Sequence, residues 1–201
     1  MLGCGTGRVA TSLRGNVVGL DRSEPMIEHA RHIHRGAVRW VVGDMRKFEL
    51  GLFDRIVIPN ASFSFLSSRA DQAACLQSCA AALRPGGQLI LDLPMPDPAW
   101  LGHAHTPERP AWEGTVEGRP ARRTREVRRY PVAQRLELTD RYFVDDLPLA
   151  TSLLTLRWIW PAEVEWMIEA AGMYVERLLG DYADRPLHEG CPRLLVVSVM
   201  P

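Results

Sequence analysis

The sequence predicts an α/β protein: a mostly parallel sheet with helices on both faces, followed by an antiparallel β insertion. Three observations predict it. Short apolar runs alternate with helical segments as far as residue 94, the pattern of a parallel sheet covered by helices. That alternation stops after Pro94 in a stretch rich in Pro and Gly. Residues 122–160 then carry three strand-like runs joined by short links, which suits antiparallel pairing.

The elements follow in chain order. Residues 6–14 read as a helix opening at a glycine turn. VVGLD, 17–21, is a buried strand ending in an acid. SEPMIEHARHIHR, 23–35, has a Ser N-cap, Pro25 in its first turn and a stop before Gly36, the start and stop signals of a helix. VRWVVGD, 38–44, and FDRIVIPN, 53–60, are strands. RADQAACLQSCAAALRPGG, 69–87, is a helix of good formers closed by Pro-Gly-Gly, and QLILDLP, 88–94, is the next strand. Residues 94–120 lack periodicity and read as a long loop, and loops of such length tend to carry function. After the three antiparallel runs, PAEVEWMIEAAGM is a helix that starts at Pro161 and reaches Gly172. YVERLLGDY and RLLVVSVM, 193–200, are two closing strands.

Length and composition set bounds. Two hundred and one residues suit one domain with a real core. Formal net charge is zero, with 24 acidic and 24 basic residues, which argues against a nucleic-acid or membrane-surface partner. No apolar run is long enough to span a membrane, and no signal peptide is visible. The four cysteines, Cys4, Cys75, Cys79 and Cys191, match no metal spacing. They read as buried small residues in a reducing cytoplasm, and no metal site is expected.

Chemistry concentrates in the first half. Gly3, Gly5 and Gly7 stand at alternate positions where a strand becomes a helix. Glycines there permit a tight turn and let a ligand approach the backbone. A dinucleotide site prefers G-x-G-x-x-G, but Arg8 occupies its last position, so a nicotinamide site is disfavoured. Asp21 ends the second strand and can accept two hydrogen bonds from a ribose diol. Asp44 follows the third strand and can accept from an exocyclic amine. Met45 and Met26 can offer apolar contact to a purine. Each residue alone has a plain reading, as a strand-end cap, a turn acid or helix core. Together they converge on the crevice where open α/β sheets bind ligands.

The ordered stretch LGCGTGRVA, VVGLDRSEPMIEHAR, VRWVVGDMRKF, FDRIVIPNASFSFL and ALRPGGQLILDL resembles the class I S-adenosylmethionine-dependent methyltransferases, and the tail resembles their small-molecule subset. The resemblance implies a Rossmann-like core over residues 1–93, a substrate cover over 94–160 and a closing helix and hairpin over 161–201. It implies S-adenosylmethionine as cofactor and S-adenosylhomocysteine as product. Gly3, Gly5 and Gly7 would take the methionine part, Asp21 the ribose hydroxyls, and Asp44 with Met45 the adenine; Cys4, Arg22 and Met26 complete the expected cofactor-binding set. Pro59, Asn60 and Ala61 would line the transfer site. The implied reaction is in-line displacement of a methyl group from a sulfonium onto a small-molecule acceptor. A general base is needed where the acceptor arrives protonated, and His103, His105, Tyr182, Asp184 and His188 are the candidates. Phe63, Phe65, Trp100, Trp112 and Trp158 could wall a substrate pocket or serve as plain core.

The chain starts two residues before Gly3, whereas members of the family carry a full first strand and N-terminal helices. The expectation is a shortened form of an active enzyme of roughly 240–250 residues, the size the resemblance implies, with weak cofactor affinity. Strand donation by a partner, as in a homodimer, and a non-catalytic cofactor- or protein-binding relative are the alternatives. The arginine run RRTREVRR, 122–129, reads as a solvated strand face paired across to acids rather than as a phosphate grip.

Overall fold

The computed structural model describes residues 1–201 except Ala37 and the side chain of Trp100. The chain divides into one unit of Met1–Met95 with Trp160–Pro201 and a second of Pro96–Ile159.

In the first unit, strands β1 (Val18–Asp21) and β2 (Arg39–Val42) pair in parallel, with helix α1 (Glu24–Ile33) between them in sequence. Strand β3 (Phe53–Ile58) pairs in parallel with β4 (Leu83–Pro94), again across a helix, α2 (Arg69–Ala82). Residues Met1 to Cys4 lie between β1 and β3: Cys4 N–H donates to Leu20 C=O at 3.0 Å, Leu20 N–H to Met1 C=O at 2.9 Å, and Leu2 N–H to Val57 C=O at 2.9 Å. Leu2 is accordingly buried between the two strand pairs.

The sheet is mixed, not mostly parallel. After helix α4 (Pro161–Ala170), strand β9 (Tyr174–Leu179) and strand β10 (Arg193–Val199) form an antiparallel pair, and β10 runs antiparallel to β4. The final strand of the chain thereby sits between β4 and β9. Leu89, Leu91 and Leu93 of β4 and Leu194 and Val196 of β10 are buried among the core side chains.

Two local readings are corrected. Residues 6–14 form no α-helix, only a single 3₁₀ turn over Ala10–Ser12. The Thr11 hydroxyl bonds back to the Gly7 and Arg8 carbonyls at 3.3 and 3.2 Å, a local competitor of helix propagation. The helix α2 stops at Ala82, and Leu83 to Gly87 already belong to β4. Pro85 drives Arg84 toward extended backbone, so the Pro-Gly-Gly triplet opens a strand here and does not cap a helix.

The second unit overturns the long loop. After a short helix α3 (Pro98–Leu101), a four-stranded antiparallel sheet runs in sequence order: β5 (His105–Val116), β6 (Arg119–Tyr130), β7 (Arg135–Val144) and β8 (Leu147–Arg157). Strand β5 is an edge, and its residues from Pro107 to Val116 are exposed, so no apolar alternation marks it. Its prolines, Pro107 and Pro110, fall beside the two register shifts in its pairing with β6, where an edge strand tolerates them. Val127, Leu136, Leu138 and Trp158 pack with Leu101 as this unit's core.

The arginine run lies on β6 and meets acids: Arg122 reaches Asp146 at 3.1 Å and Arg125 reaches Asp140 on β7 at 2.6 Å, while Arg128 pairs within β6 with Glu126 at 3.2 Å. No helix among the described residues is long and apolar enough to cross a membrane.

Candidate cofactor site

The C-terminal ends of four adjacent parallel segments bring the expected site residues together. The turn after Met1–Cys4 supplies the glycines, the end of β1 supplies Asp21, and the loop after β2 supplies Asp44 and Met45. The turn after β3 supplies Pro59, Asn60 and Ala61. This is the ligand crevice of open α/β sheets.

The three glycines serve different ends. Gly5 has φ +53°, and a Cβ there would meet nothing within 4 Å. It therefore leaves open space on the crevice side. A Cβ on Gly3 would lie 2.6 Å from Ser62 Cβ, and one on Gly7 would run into the Trp40 indole. These two allow close approach of neighbouring elements. The turn is held without a helix: Gly7 N–H donates to Cys4 C=O at 3.0 Å, and His34 Nε2 lies 3.0 Å from Thr6 C=O.

Asp21 fixes the turn from β1. Its carboxylate accepts Gly5 N–H at 2.7 Å and Ser23 N–H at 2.9 Å. A carboxylate has about four acceptor positions, so capacity remains for a diol. Ser23, expected to cap α1 through its side chain, makes no such bond; its backbone amide reports to Asp21 instead. Arg22 and Met26 are exposed beside this strand end.

Cys4 turns away from the crevice. Its side chain packs with Ala10, Ile27, Ala30 and Trp40. Burial first, and the Asp21 carboxylate second, push its thiol up to about 11. Its backbone is engaged within the fold: its amide donates to Leu20 C=O and its carbonyl accepts from Gly7 N–H.

Asp44 is engaged more fully than its sequence position suggested. Arg46 reaches it with its backbone N–H at 2.9 Å and with its guanidinium NH2 at 2.6 Å, and bonds Asp71 at 2.7 Å. Arg46 holds the carboxyl of Asp44 below its ordinary range. Asp71 in turn meets Ser68, the N-cap of α2. Arg46 and Asp71 were not among the expected site residues; the one available signal was a basic residue two places after the acid. Met45 is half-buried next to them.

The turn after β3 holds two consecutive left-handed residues, Asn60 (φ +51°) and Ala61 (φ +59°). The Ser62 hydroxyl donates to Gly3 C=O at 3.2 Å, which ties this turn to the glycine turn. Asp92, on β4, was also missed. Its carboxylate accepts Asn60 N–H at 2.8 Å, the Tyr182 hydroxyl at 2.8 Å and Arg193 NH1 at 3.0 Å.

The five base candidates separate by chemistry. The Tyr182 hydroxyl donates to Asp92, and its pKa is raised, first by loss of water around the hydroxyl and then by that bond. It is a donor at neutral pH, not a base. His188 is exposed and its Nδ1 lies 2.8 Å from the Glu189 carbonyl. His103, in the second unit, is exposed, and its carbonyl accepts from Arg129 Nη1 at 3.0 Å. His105 places Nε2 3.0 Å from Glu126 Oε1. Asp184 is ion-paired with Arg177. Phe63 and Trp158 are core, while Phe65 and Trp112 are exposed; the Trp100 side chain lies outside the described residues.

The methyltransferase domain family matches residues 1–87. The chain is 32% identical over 209 residues to a dTDP-3-amino-3,4,6-trideoxy-alpha-D-glucopyranose N,N-dimethyltransferase from Streptomyces venezuelae, covering 94% of this chain and 80% of that protein. It is 28% identical to a cypemycin N-terminal methyltransferase from a Streptomyces species, covering 98% and 80%. Among solved structures, the CcbJ methyltransferase of Streptomyces caelestis superposes with a TM-score of 0.83 at 24% identity, covering all of this chain and 87% of that one. S-adenosylmethionine-bound CalS10, an amino pentose methyltransferase from Micromonospora echinaspora, superposes at 0.76 with 26% identity, covering 100% and 81%. The fold and the crevice define an S-adenosylmethionine-dependent methyltransferase. The chain belongs to the class I members of that family.

The residues present fit the cofactor. Gly5 opens a cradle that any side chain would fill, and Asp21 retains acceptor capacity beside it. When bound, S-adenosylmethionine supplies a methyl group activated by its own sulfonium charge.

Proposed function

We propose that the protein methylates the amino group of a small-molecule acceptor, with a nucleotide-linked amino sugar as the acceptor class. The observation that carries this reading is the 32% identity, across nearly the whole chain, to an enzyme whose name specifies N,N-dimethylation of a dTDP-amino sugar. Gly3, Gly5 and Gly7 hold the methionine end of the cofactor, Asp21 the ribose and Asp44 with Met45 the adenine. Pro59, Asn60 and Ala61 border the point of transfer. Residues 96–159 select the acceptor.

An aliphatic amine is largely protonated at neutral pH, so a proton must leave before nitrogen can attack. His105 has the chemistry for this. Glu126 holds one imidazole nitrogen at 3.0 Å, which fixes the ring and stabilises the imidazolium once formed. His105 stands opposite Arg128 in the β5–β6 pairing and reaches Glu126, two residues along β6, on the diagonal.

The test is incubation with S-adenosylmethionine and dTDP-3-amino-3,4,6-trideoxyglucose, followed by mass spectrometry. The expected product gains one or two methyl groups on nitrogen. Methylation confined to a hydroxyl, or no transfer to any amine of this class by protein that binds S-adenosylhomocysteine, would refute the proposal.

A further inference from the structure

The turn that follows β3 is an unfavourable one. Asn60 and Ala61 both adopt left-handed backbone, which side chains other than glycine resist. Asn tolerates it through local hydrogen bonding, whereas Ala has no such compensation. Both turn amides are taken by one residue. Asn60 N–H donates to the Asp92 carboxylate at 2.8 Å, and Ala61 N–H donates to the Asp92 carbonyl at 2.9 Å. A strained turn persists only where its surroundings over-determine it, and Asp92 is the residue that does so here.

The carboxylate is itself placed by the far end of the chain. It is buried, so it needs partners. Tyr182, from the loop between β9 and β10, donates to the oxygen that also receives Asn60. Arg193, the first residue of β10, donates to the other oxygen and stacks over the Tyr182 ring with its Cζ 5.4 Å from the centroid. On its other side, the same turn is fastened to the glycine turn by Ser62 and Gly3. The C-terminal hairpin is thereby coupled to both turns of the crevice through a single carboxylate.

We propose that Asp92 is a positioning residue for methyl transfer: with Tyr182 and Arg193 it locks the Asn60–Ala61 turn in its left-handed form against the cofactor crevice. This rests on the reading of that crevice as the S-adenosylmethionine site. Asp92 touches neither cofactor nor acceptor and acts through Asn60 and Ala61.

The test uses the full chain and its Asp92→Asn, Tyr182→Phe, Ala61→Gly and Asp92→Asn/Ala61→Gly variants. Two quantities are read: calorimetric affinity for S-adenosylhomocysteine, and amide hydrogen exchange at Asn60 and Ala61. Asp92→Asn should weaken binding about tenfold and speed exchange at Asn60 by a similar factor, the loss of one charge-assisted bond. Adding Ala61→Gly should restore affinity to within about threefold, because glycine adopts the left-handed form without an anchor. A purely structural role would not give that rescue. Where Asp92→Asn does not fold, Tyr182→Phe decides, with an expected loss of about two- to fivefold, since it removes one hydroxyl from a largely exposed ring. Wild-type binding with unchanged affinity and exchange in the folded variants would overturn the proposal alone. Absence of binding by the wild type would overturn the cofactor reading, and the proposal with it.

Discussion

Asp21→Ala tests the centre of the site. The substitution removes two charge-assisted acceptors from one carboxylate, at 2.7 Å to Gly5 and 2.9 Å to Ser23. Such bonds contribute about 1.5–3 kcal/mol each when buried. Asp21 is only half-buried, so water partly replaces it. The net cost to the folded protein is then about 2–3 kcal/mol, or roughly 4–12 °C in Tm for a chain of this size. The bonds to the ribose add a separate loss of about 1–3 kcal/mol in affinity, roughly 5- to 150-fold in Kd. Thermal melting reads the first quantity, and titration with S-adenosylhomocysteine reads the second. Asp21→Asn should fall between, because its amide keeps one acceptor oxygen but sets an NH2 against the other backbone donor. If Asp21→Ala melts like wild type and binds within twofold of it, the carboxylate neither holds the glycine turn nor meets the ribose, and the cofactor does not bind at this crevice.

Four further outcomes are expected. Gly7→Ala should destabilise the fold by about 2 kcal/mol or more, since a Cβ would strike the Trp40 ring at φ +88°, whereas Gly5→Ala should keep most stability and lose cofactor affinity; denaturant melts and titrations of the two variants check the contrast. Asp140→Ala should cost about 2–3 kcal/mol, because it strands the Arg125 guanidinium that now bonds a fully buried carboxylate. Arg125 holds the Asp140 carboxyl below its ordinary value, so its contribution is fully present above about pH 4 and lost as pH falls through the lower folded value; the wild type should show this acid-limb loss in melts against pH, and Asp140→Ala should lack it. His105→Ala should lower kcat by about 10²-fold or more on an amine acceptor; an unchanged kcat would exclude it as the base. All four cysteines are buried, so a thiol reagent at pH 7.5 should label the native protein slowly and the unfolded protein at four positions.

Much of the first unit is legible because local signals and tertiary structure agree there. Pro25 and Gly36 bracket α1, Pro161 and Gly172 bracket α4, and Asp21 ends a strand with its acid on the crevice side. The second unit was half legible. Strands β6 and β7 lie inside the sheet and bury residues along their length, and β8, though an edge, shows through its apolar residues; β5 is the other edge and carries prolines, so nothing in its composition reports pairing. Arg84 and Pro85 misled because the same triplet that ends helices also tolerates extended backbone. At the site, Gly5 and Asp21 could be placed by spacing. Asp92 could not, since its partners Asn60, Tyr182 and Arg193 lie 32, 90 and 101 residues away, and no local pattern encodes a meeting over that distance.

The position of β10 also constrains how the chain can be made. The unit of residues 96–159 is continuous in sequence and pairs each strand with its neighbour, an arrangement of low contact order that can form soon after it leaves the ribosome. The other unit is interrupted by it, and its central pair, β4 with β10, joins Gln88–Pro94 to Arg193–Val199. Until translation reaches those last residues, β4 keeps an unpaired apolar edge, the kind that recruits other chains. An early-folding insert shortens the effective loop that must close, because its two ends are already drawn together within one compact body. The antiparallel sheet then serves the nascent protein before it serves the acceptor: it brings the far end of the chain back to the strand that waits for it.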